Sequence, residues 1–269
     1  MDDRWQQDPD PALRPVARTP EVRFDSHGVP LLGVLHLPAG PGPHPVVVLL
    51  HGFPGNERNF DLAQALRRAG YAALVFHYRG SWGVGGAYSW SNVLADAARA
   101  VAVAPSLDPS LDAGRVAVVG HSLGGFAALH TTAADPAVRA VAALASFDFG
   151  ATAEEPAGVL QQTRAMFGSD LLPLHGTSGD ALYEEMLANG PAWRLADLAP
   201  RLADRPVLLV AGERDTVAPP VRHHAPVAAA YGTRAAGTLA ALTLPSDHAF
   251  SDHRIALTRA VIDFLDRSL

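Results

Sequence analysis

The chain has no cysteine and no lysine, and its hydrophobic segments are short. The lack of cysteine excludes disulfides, thiolate metal sites and a cysteine nucleophile. All 21 basic residues are arginine, and we interpret this bias as genomic base composition rather than function. No hydrophobic run approaches the roughly 20 residues that span a membrane. The first residues, up to Pro30, lack the apolar core of a signal peptide. We therefore expect a cytoplasmic protein that does not bind membranes.

The composition that remains is typical of a soluble globular protein. Of the 269 residues, 48% are hydrophobic and 18% are charged, which suits one large core. The net charge of -6 argues against a nucleic-acid partner. Residues 1–19 are polar and proline-rich and predict a flexible N-terminal arm, in which Trp5 is the one residue with the potential to contact the body. Residues 20–269 are predicted to form a single domain.

A serine lies at the junction between a predicted strand and a predicted helix. The run Val116–Val119 predicts a buried strand, and the alanine-rich run Phe126–Ala134 predicts a helix. Between them, residues 120–124 read Gly-His-Ser-Leu-Gly, the sharp turn called a nucleophile elbow. Glycines two positions on either side of the serine avoid backbone clashes in such a turn. We predict Ser122 as the nucleophile and the backbone N–H of Leu123 as an oxyanion donor.

Two further chemical groups follow later predicted strands. Asp215 lies in a turn after the strand predicted over 206–211, and His248 lies in the loop after the strand predicted over 239–244. A serine hydroxyl needs a base to become a good nucleophile, and the pKa of imidazole lies near neutrality. A carboxylate fixes the imidazole tautomer and stabilises the imidazolium. Ser122, Asp215 and His248 are therefore predicted to form a catalytic triad.

Other residues compete for these roles. Asp148 also follows a predicted strand and is an alternative to Asp215. A metal site made from Asp215, His223 and His224 is a second alternative, but adjacent histidine side chains diverge and no third ligand stands at suitable spacing. His121, beside the serine, is predicted to be structural. The sequence therefore predicts neither a metal nor a cofactor.

The segment 151–205 interrupts the alternation of strands and helices. It contains helical patterns but no convincing strand, which predicts a helical cap inserted above the active site. Its apolar side chains form either the core of the cap or the wall of an acyl pocket. The same alternatives hold for aromatic residues in the glycine-rich loop after the strand predicted over 71–78. The residues predicted to bind substrate are Tyr78, Trp82, Met166, Phe167, Tyr183, Met186 and Trp193.

Five segments resemble the α/β-hydrolase superfamily, and the resemblance extends from about Glu21 to Leu269. They are His51-Gly-Phe-Pro-Gly, Tyr78-Arg-Gly-Ser-Trp-Gly, Gly120-His-Ser-Leu-Gly-Gly, Gly212-Glu-Arg-Asp and Asp247-His248. They are similar to the dienelactone-hydrolase-like and prolyl-oligopeptidase-like branch. The resemblance implies the α/β-hydrolase fold, with a mainly parallel central sheet flanked by helices and the chain order nucleophile, acid, base. It also implies that the backbone N–H of Phe53 is the second oxyanion donor.

The resemblance further implies a serine hydrolase that cleaves carboxylic esters through an acyl-enzyme intermediate. Because the branch also contains acyl-peptidases, a peptidase or amidase with the same triad is the alternative, although the chain has no room for the β-propeller that typically gates those peptidases. A serine nucleophile argues against the reactions of dienelactone hydrolase, dehalogenases and epoxide hydrolases. A third interpretation is a non-catalytic binding protein that retains the fold. Such a protein would typically have lost a triad residue, and none is missing here. The expected partner is a small-molecule ester, and a homodimer through the exposed edge of the sheet is a further hypothesis.

Overall fold

The computed structural model describes residues 3–169, 171–233 and 238–269, and a single sheet organises them. Its strands are β1 (Glu21–Ser26), β2 (Val29–His36), β3 (His44–Leu50), β4 (Ala72–Phe76), β5 (Leu111–His121), β6 (Val138–Leu144), β7 (Val207–Gly212) and β8 (Leu239–Leu244). They pair in the order β1-β2-β4-β3-β5-β6-β7-β8. The two pairs that involve β2 are antiparallel and all others are parallel. This mainly parallel sheet confirms the predicted architecture.

The burial of each strand explains its sequence. β3, β4, β6 and β7 are almost wholly buried and read as continuous runs of valine, leucine and alanine, as expected where helices cover both faces. β1, at one edge, alternates exposed and buried positions, because one of its faces meets solvent. β5 begins earlier than the apolar run Val116–Val119 predicts, since Leu111 pairs with His44 ahead of a register shift.

Helices cover both faces of the sheet. They are α1 (Phe60–Arg68), α2 (Trp90–Val103), α3 (Leu123–Ala134), α4 (Phe149–Ala153), α5 (Ala157–Ser169), α6 (Gly179–Asn189), α7 (Pro220–His223), α8 (Ala225–Gly232) and α9 (Arg254–Ser268). One core contains residues of α2, α3, α6 and α8, and the other contains residues of α1 and α9. In the part of the chain described, no helix is long and apolar enough to cross a membrane.

The segment between β6 and β7 is helical and is fastened to the body at α2. It contains α4, α5 and α6, followed by two short 3-10 helices, Gly190–Ala192 and Leu195–Arg201. The carboxylate of Glu185 accepts hydrogen bonds from the backbone N–H groups of Trp90 and Ser91, each 2.8 Å long. These are free donors of the first turn of α2, where negative charge is also favoured by the helix dipole. The indole of Trp90 donates to the carbonyl of Leu182, so α6 holds the segment in place.

Three helical details differ from the sequence pattern. Within the segment 151–205, the helical pattern that the sequence shows at about 192–198 forms a 3-10 helix, Leu195–Arg201, in which Pro200 lacks an N–H for an α-helical bond. α7 and α8 were not predicted from the sequence. Both are short and have proline in the first turn, so they show little of the apolar periodicity that marks longer helices.

The N-terminal residues lie against α1 and α9. The Trp5 side chain is buried in the core beneath α1, and its carbonyl accepts a hydrogen bond from Arg68. Arg4 pairs with Asp266. Trp5 therefore fixes this end of the segment, whereas the division of the chain into an arm over 1–19 and a domain over 20–269 stays a prediction.

One buried carboxylate fastens the loop after β4 to α2. Helical spacing predicts that Asp96 and Arg99 share a solvated face, and this is wrong for Asp96, whose side chain has no exposed surface. Its carboxylate accepts hydrogen bonds from the Ser26 hydroxyl at 2.6 Å, from the Arg79 backbone at 2.8 Å and from Arg79 Nε at 2.7 Å. All its oxygens therefore meet donors, and the Arg79 charge is neutralised at the same place.

Asp96→Asn is expected to lower the free energy of unfolding by about 3–5 kcal/mol, because it leaves the buried guanidinium of Arg79 without a counter-charge. Urea denaturation followed by circular dichroism measures the change. Asp180→Asn is the control, since its ion pair with Arg164 lies on the surface and exposed pairs contribute little. A wild-type urea midpoint for Asp96→Asn would show that this network does not stabilise the fold.

Candidate active site

The predicted elbow is a strained turn in the structure. β5 ends at His121, α3 begins at Leu123, and Ser122 between them has φ 57° and ψ -119°. A Cβ at Gly120 would collide with the backbone of Gly124, and a Cβ at Gly124 would collide with the backbone of β3. Glycine is therefore required at both positions. The geometry lifts Ser122 out of the regular strand at the carboxyl edge of the sheet.

Asp215 and His248 meet at the same edge. The Nδ1 atom of His248 donates a hydrogen bond of 2.7 Å to Oδ2 of Asp215. The other oxygen, Oδ1, accepts from the backbone N–H groups of Val217 and Ala218, each at 2.8 Å. Burial by itself raises the pKa of Asp215, but the hydrogen bond and charge of His248 and the two N–H groups outweigh it and hold the pKa below its usual value. The carboxylate therefore stays charged and fixes the proton of His248 on Nδ1, which leaves Nε2 free to accept one.

His121 supports the loop that carries His248. Its Nε2 lies 2.7 Å from the backbone carbonyl of His248, and the two rings lie 4.9 Å apart. A carbonyl only accepts, so the proton of the neutral His121 ring is on Nε2. Burial, with a smaller contribution from His248, lowers the pKa of His121 to about 3. His121 thus fixes the backbone beside His248, which agrees with its predicted structural role.

The two predicted oxyanion donors belong to residues that line one cavity together with Ser122. Leu123 is the first residue of α3, where the N–H has no partner within the helix. Phe53 follows β3 and makes no backbone hydrogen bond through its N–H to any residue that the structure describes. The carbonyl of Pro54 accepts a hydrogen bond of 2.8 Å from the Trp82 indole. Trp82 therefore holds the Phe53 loop.

An apolar cavity of about 210 Å³, which we call the acyl cavity, opens at Ser122. Both oxyanion candidates and His248 line it. Met166 and Phe167 of α5, predicted to bind substrate, also line it. Sequence reasoning assigned no role to Phe147 and Phe149, although both follow β6 at the carboxyl edge of the sheet, where ligands of parallel sheets bind. The complete lining is Phe53, Pro54, Trp90, Ser122, Leu123, Phe147, Phe149, Met166, Phe167, Ser169, Val217 and His248.

The other five residues predicted to bind substrate do not line the acyl cavity. Tyr78 is buried and donates a hydrogen bond to the carbonyl of His51. Trp82 packs on the ring of His77. Met186 and Trp193 are buried in the core.

Tyr183 is half-buried on α6, with the Arg164 guanidinium 5.6 Å from its ring. Apolar residues of the segment 151–205 were predicted to form either its core or the wall of an acyl pocket. Tyr183, Met186 and Trp193 pack within the protein and do not line the acyl cavity. Apolar residues on an amphipathic helix face inward whether or not a ligand is present, so the sequence does not distinguish the two.

The rival residues have other partners. The carboxylate of Asp148 accepts from the backbone N–H of Ala151 at 3.0 Å and caps α4. Its own backbone N–H donates to Nδ1 of His223 at 3.0 Å, and the His223 ring stacks on Phe147. Burial raises the pKa of Asp148. Among the residues described, no three acidic or histidine side chains are placed to share a metal ion.

Three buried histidines make the stability of the fold depend on pH. Burial is the main cause that lowers the pKa values of His51, His121 and His223 to about 3. In the unfolded chain these groups bind a proton near pH 6.5, whereas the folded protein keeps them neutral. The free energy of unfolding is therefore expected to fall as the pH drops from about 6.5 toward 3, by about 1.4 kcal/mol per pH unit and histidine at most.

Urea denaturation at pH 7.5, 6 and 5 measures this dependence, and the midpoint should decrease across the series. A urea midpoint that stays constant from pH 7.5 to 5 would mean that these rings are exposed to solvent and become protonated in the folded state as well.

Comparison with known proteins gives a family match and structural neighbours. A family model described as the alpha/beta hydrolase family matches residues 47–261. A curated relative, 2,6-dihydropseudooxynicotine hydrolase of Paenarthrobacter nicotinovorans, is 31% identical over 134 residues, which are 48% of this chain and 35% of that protein. This chain thus matches about a third of the length of that relative.

Two solved structures share the fold. The esterase Pf2001 of Pyrococcus furiosus has a TM-score of 0.70 at 18% identity, with 94% of this chain and 92% of the esterase covered. The acylaminoacyl peptidase of Pyrococcus horikoshii has a TM-score of 0.72 at 17% identity, with 95% of this chain and 42% of the peptidase covered. At these identities the likeness concerns the fold alone.

Proposed function

The chain belongs to the alpha/beta hydrolase family, and from this premise we propose that it is a serine hydrolase that cleaves carboxylic esters through an acyl-enzyme. The observation that carries the proposal is the convergence of Ser122 and His248 on one cavity, with Asp215 hydrogen-bonded to His248 from behind. Nucleophile, base and orienting acid come from three different strand ends. Such a convergence is what acyl transfer by serine requires.

The reaction runs in two balanced steps. Ser122 Oγ attacks the ester carbonyl while Nε2 of His248 takes the hydroxyl proton, and the resulting oxyanion accepts hydrogen bonds from the N–H groups of Phe53 and Leu123. The acyl–oxygen bond then breaks, and His248 returns the proton to the departing alcohol. In the second step His248 takes a proton from water, the hydroxide attacks the acyl-enzyme, and Ser122 leaves with that proton.

The acyl cavity supports a compact apolar acyl group. A cavity of roughly 150 Å³ accommodates benzene, so the 210 Å³ of this cavity hold one aromatic ring with a short linker, or an alkyl chain of similar volume. Phe147, Phe149 and Phe167 form aromatic walls, which favour apolar surface.

The charge of the cavity favours an ester over a peptide with a free amino terminus. Among the described residues, the lining contains no aspartate, glutamate or arginine. An aminopeptidase holds the substrate ammonium with a carboxylate, because an ammonium group is costly to bury without one. A neutral acyl group meets no such cost here.

Matched substrates test the proposal. With 4-nitrophenyl butyrate and N-butyryl-4-nitroaniline, which differ only in the scissile bond, we expect turnover of the ester to exceed that of the anilide by at least about 100-fold, roughly 2.7 kcal/mol in activation free energy. Comparable or faster anilide turnover would instead support the amidase alternative. A folded protein that neither hydrolyses them nor reacts with a fluorophosphonate would refute catalysis by Ser122.

A further inference from the structure

A second cavity, of about 220 Å³, lies beside the acyl cavity and is polar. We call it the polar cavity. Phe147, Met166 and Val217 line both cavities, so the two share part of their walls. The complete lining of the polar cavity is Phe147, Thr152, Val159, Gln162, Thr163, Met166, Thr216, Val217, Pro219, Arg222 and His223. Polar groups are thus concentrated on one side of the candidate active site.

The polar cavity borders the loop that follows Asp215, the partner of His248. In the proposed mechanism His248 returns its proton to the departing oxygen, so the alcohol must lie on the His248 side of Ser122. Thr216 and Val217 directly follow Asp215, the partner of His248, and both line the polar cavity. Because Phe147, Met166 and Val217 line both cavities, an ester with its acyl group among the aromatic side chains can extend its alcohol into the polar cavity.

Several hydrogen-bonding groups of the polar cavity have no partner among the residues that the structure describes. The hydroxyl of Thr163 belongs to a side chain that is only 7% exposed, yet it makes no hydrogen bond within the part of the chain described. The hydroxyl oxygen itself is not fully enclosed by protein, so a ligand in the cavity can reach it. Gln162 and Thr216, both exposed, likewise make no side-chain hydrogen bond to described residues. These three groups each donate and accept.

The polar cavity is close to neutral. Its one charged side chain among the described residues is Arg222, whose Nε lies 2.8 Å from the carboxylate of Glu155. His223 is neutral as well, because its Nδ1 accepts the backbone N–H of Asp148 and its single proton is therefore on Nε2. A carboxylate or phosphate would find no uncompensated cation here. A ligand with groups that both donate and accept fits best, which describes hydroxyls.

We propose that the polar cavity binds the alcohol part of the substrate and that this alcohol is a small uncharged polyol. The inference rests on the proposed ester hydrolysis and adds the class of alcohol to it. Thr163 is the central specificity residue because it is the buried one, and Gln162 and Thr216 contribute from the mouth of the cavity.

The test uses two esters of one acid, 1-monobutyrylglycerol and propyl butyrate, which differ only by two hydroxyls. Wild-type protein is expected to have at least a tenfold higher kcat/KM for the glycerol ester. Thr163→Val keeps the shape and removes the hydroxyl, and it should lower the ratio of the two kcat/KM values by about two- to tenfold, as the loss of one neutral hydrogen bond predicts. Gln162→Leu, at an exposed position where folding is not at risk, should lower the ratio as well.

Gln161→Leu is the matched control, because Gln161 neighbours these residues on α5 but lines neither cavity, and it should leave the ratio unchanged. A wild-type ratio near one, or a ratio unaffected by both Thr163→Val and Gln162→Leu, would refute the polyol site. If propyl butyrate is still hydrolysed in a Ser122-dependent way, only the polyol inference fails. If the folded protein hydrolyses neither ester, the proposed ester hydrolysis fails with it.

Discussion

Ser122→Ala is expected to lower kcat for ester hydrolysis by roughly 10⁴- to 10⁶-fold, the range typical of nucleophile removal in serine hydrolases. The variant keeps the cavity and both oxyanion N–H groups but cannot form the acyl-enzyme. Residual turnover would come from water attacking a bound and polarised ester. The folded state should be unaffected, because Ser122 makes no side-chain hydrogen bond to the residues described.

Intact-mass spectrometry after fluorophosphonate treatment measures the same effect without a substrate. Wild-type protein should gain one phosphonyl group and Ser122→Ala none. Ser169→Ala is the control, since Ser169 lines the same cavity but its hydroxyl donates to the carbonyl of Met166 and it takes no part in the proposed chemistry. Full activity of Ser122→Ala would contradict the mechanism, and equal loss in Ser169→Ala would mean that the cavity, not the nucleophile, was damaged.

Asp215→Asn is expected to lower kcat by about 10⁴-fold. The amide is nearly isosteric, but it carries no charge to stabilise the imidazolium. Its nitrogen would also donate toward Nδ1 of His248 and favour the wrong tautomer, with the proton on Nε2. The backbone N–H groups of Val217 and Ala218, which bind Oδ1, can still hold the side chain in place, so KM should change little.

The same substitution at the rival acid separates catalysis from packing. Asp148→Asn should retain kcat within about tenfold, because Asp148 bonds the backbone of α4 and Leu195 rather than His248. In Asp148→Asn the side-chain amide oxygen can still accept these hydrogen bonds. Steady-state kinetics with 4-nitrophenyl butyrate compare the two variants, and thermal unfolding confirms that both are folded. Loss of kcat in Asp148→Asn but not in Asp215→Asn would reverse the assignment.

The site illustrates how far local patterns lead. The elbow was predictable because its strand, its Gly-x-Ser-x-Gly turn and its helix are contiguous in sequence, although the contact that requires Gly124 is made by the distant strand β3. Asp215 and His248 were predictable as residues that follow strands, since the carboxyl ends of parallel strands meet at one edge of a sheet. The predicted preference for Asp215 over Asp148 could not be checked from the sequence, because both residues stand after a strand and only the hydrogen bond to His248 distinguishes them.

The acyl cavity illustrates the limit of the same patterns. Of the seven residues predicted to bind substrate, Met166 and Phe167 line it and the other five do not. An inward-facing aromatic residue has the same sequence signature in a core and in a pocket wall. Phe147 and Phe149 were missed for this reason, although they form its aromatic wall.

Asp96 shows the same limit of local sequence patterns for a charged residue. On its helix it has the spacing of a solvated residue, yet it lies buried against Ser26 of β1 and Arg79 of the loop after β4. These partners are 70 and 17 residues away, beyond the reach of any local pattern.

The sequence by itself determined the order of the strands along the chain, the main helices, the elbow and the candidates for nucleophile, acid and base. These depend on periodicity, turn chemistry and backbone sterics, which act over a few residues. The tertiary structure alone decided which acid faces His248, which aromatic residues border Ser122, and that a polar cavity adjoins the apolar one. Each depends on distances between segments far apart in sequence, which are set by the packing of the whole core.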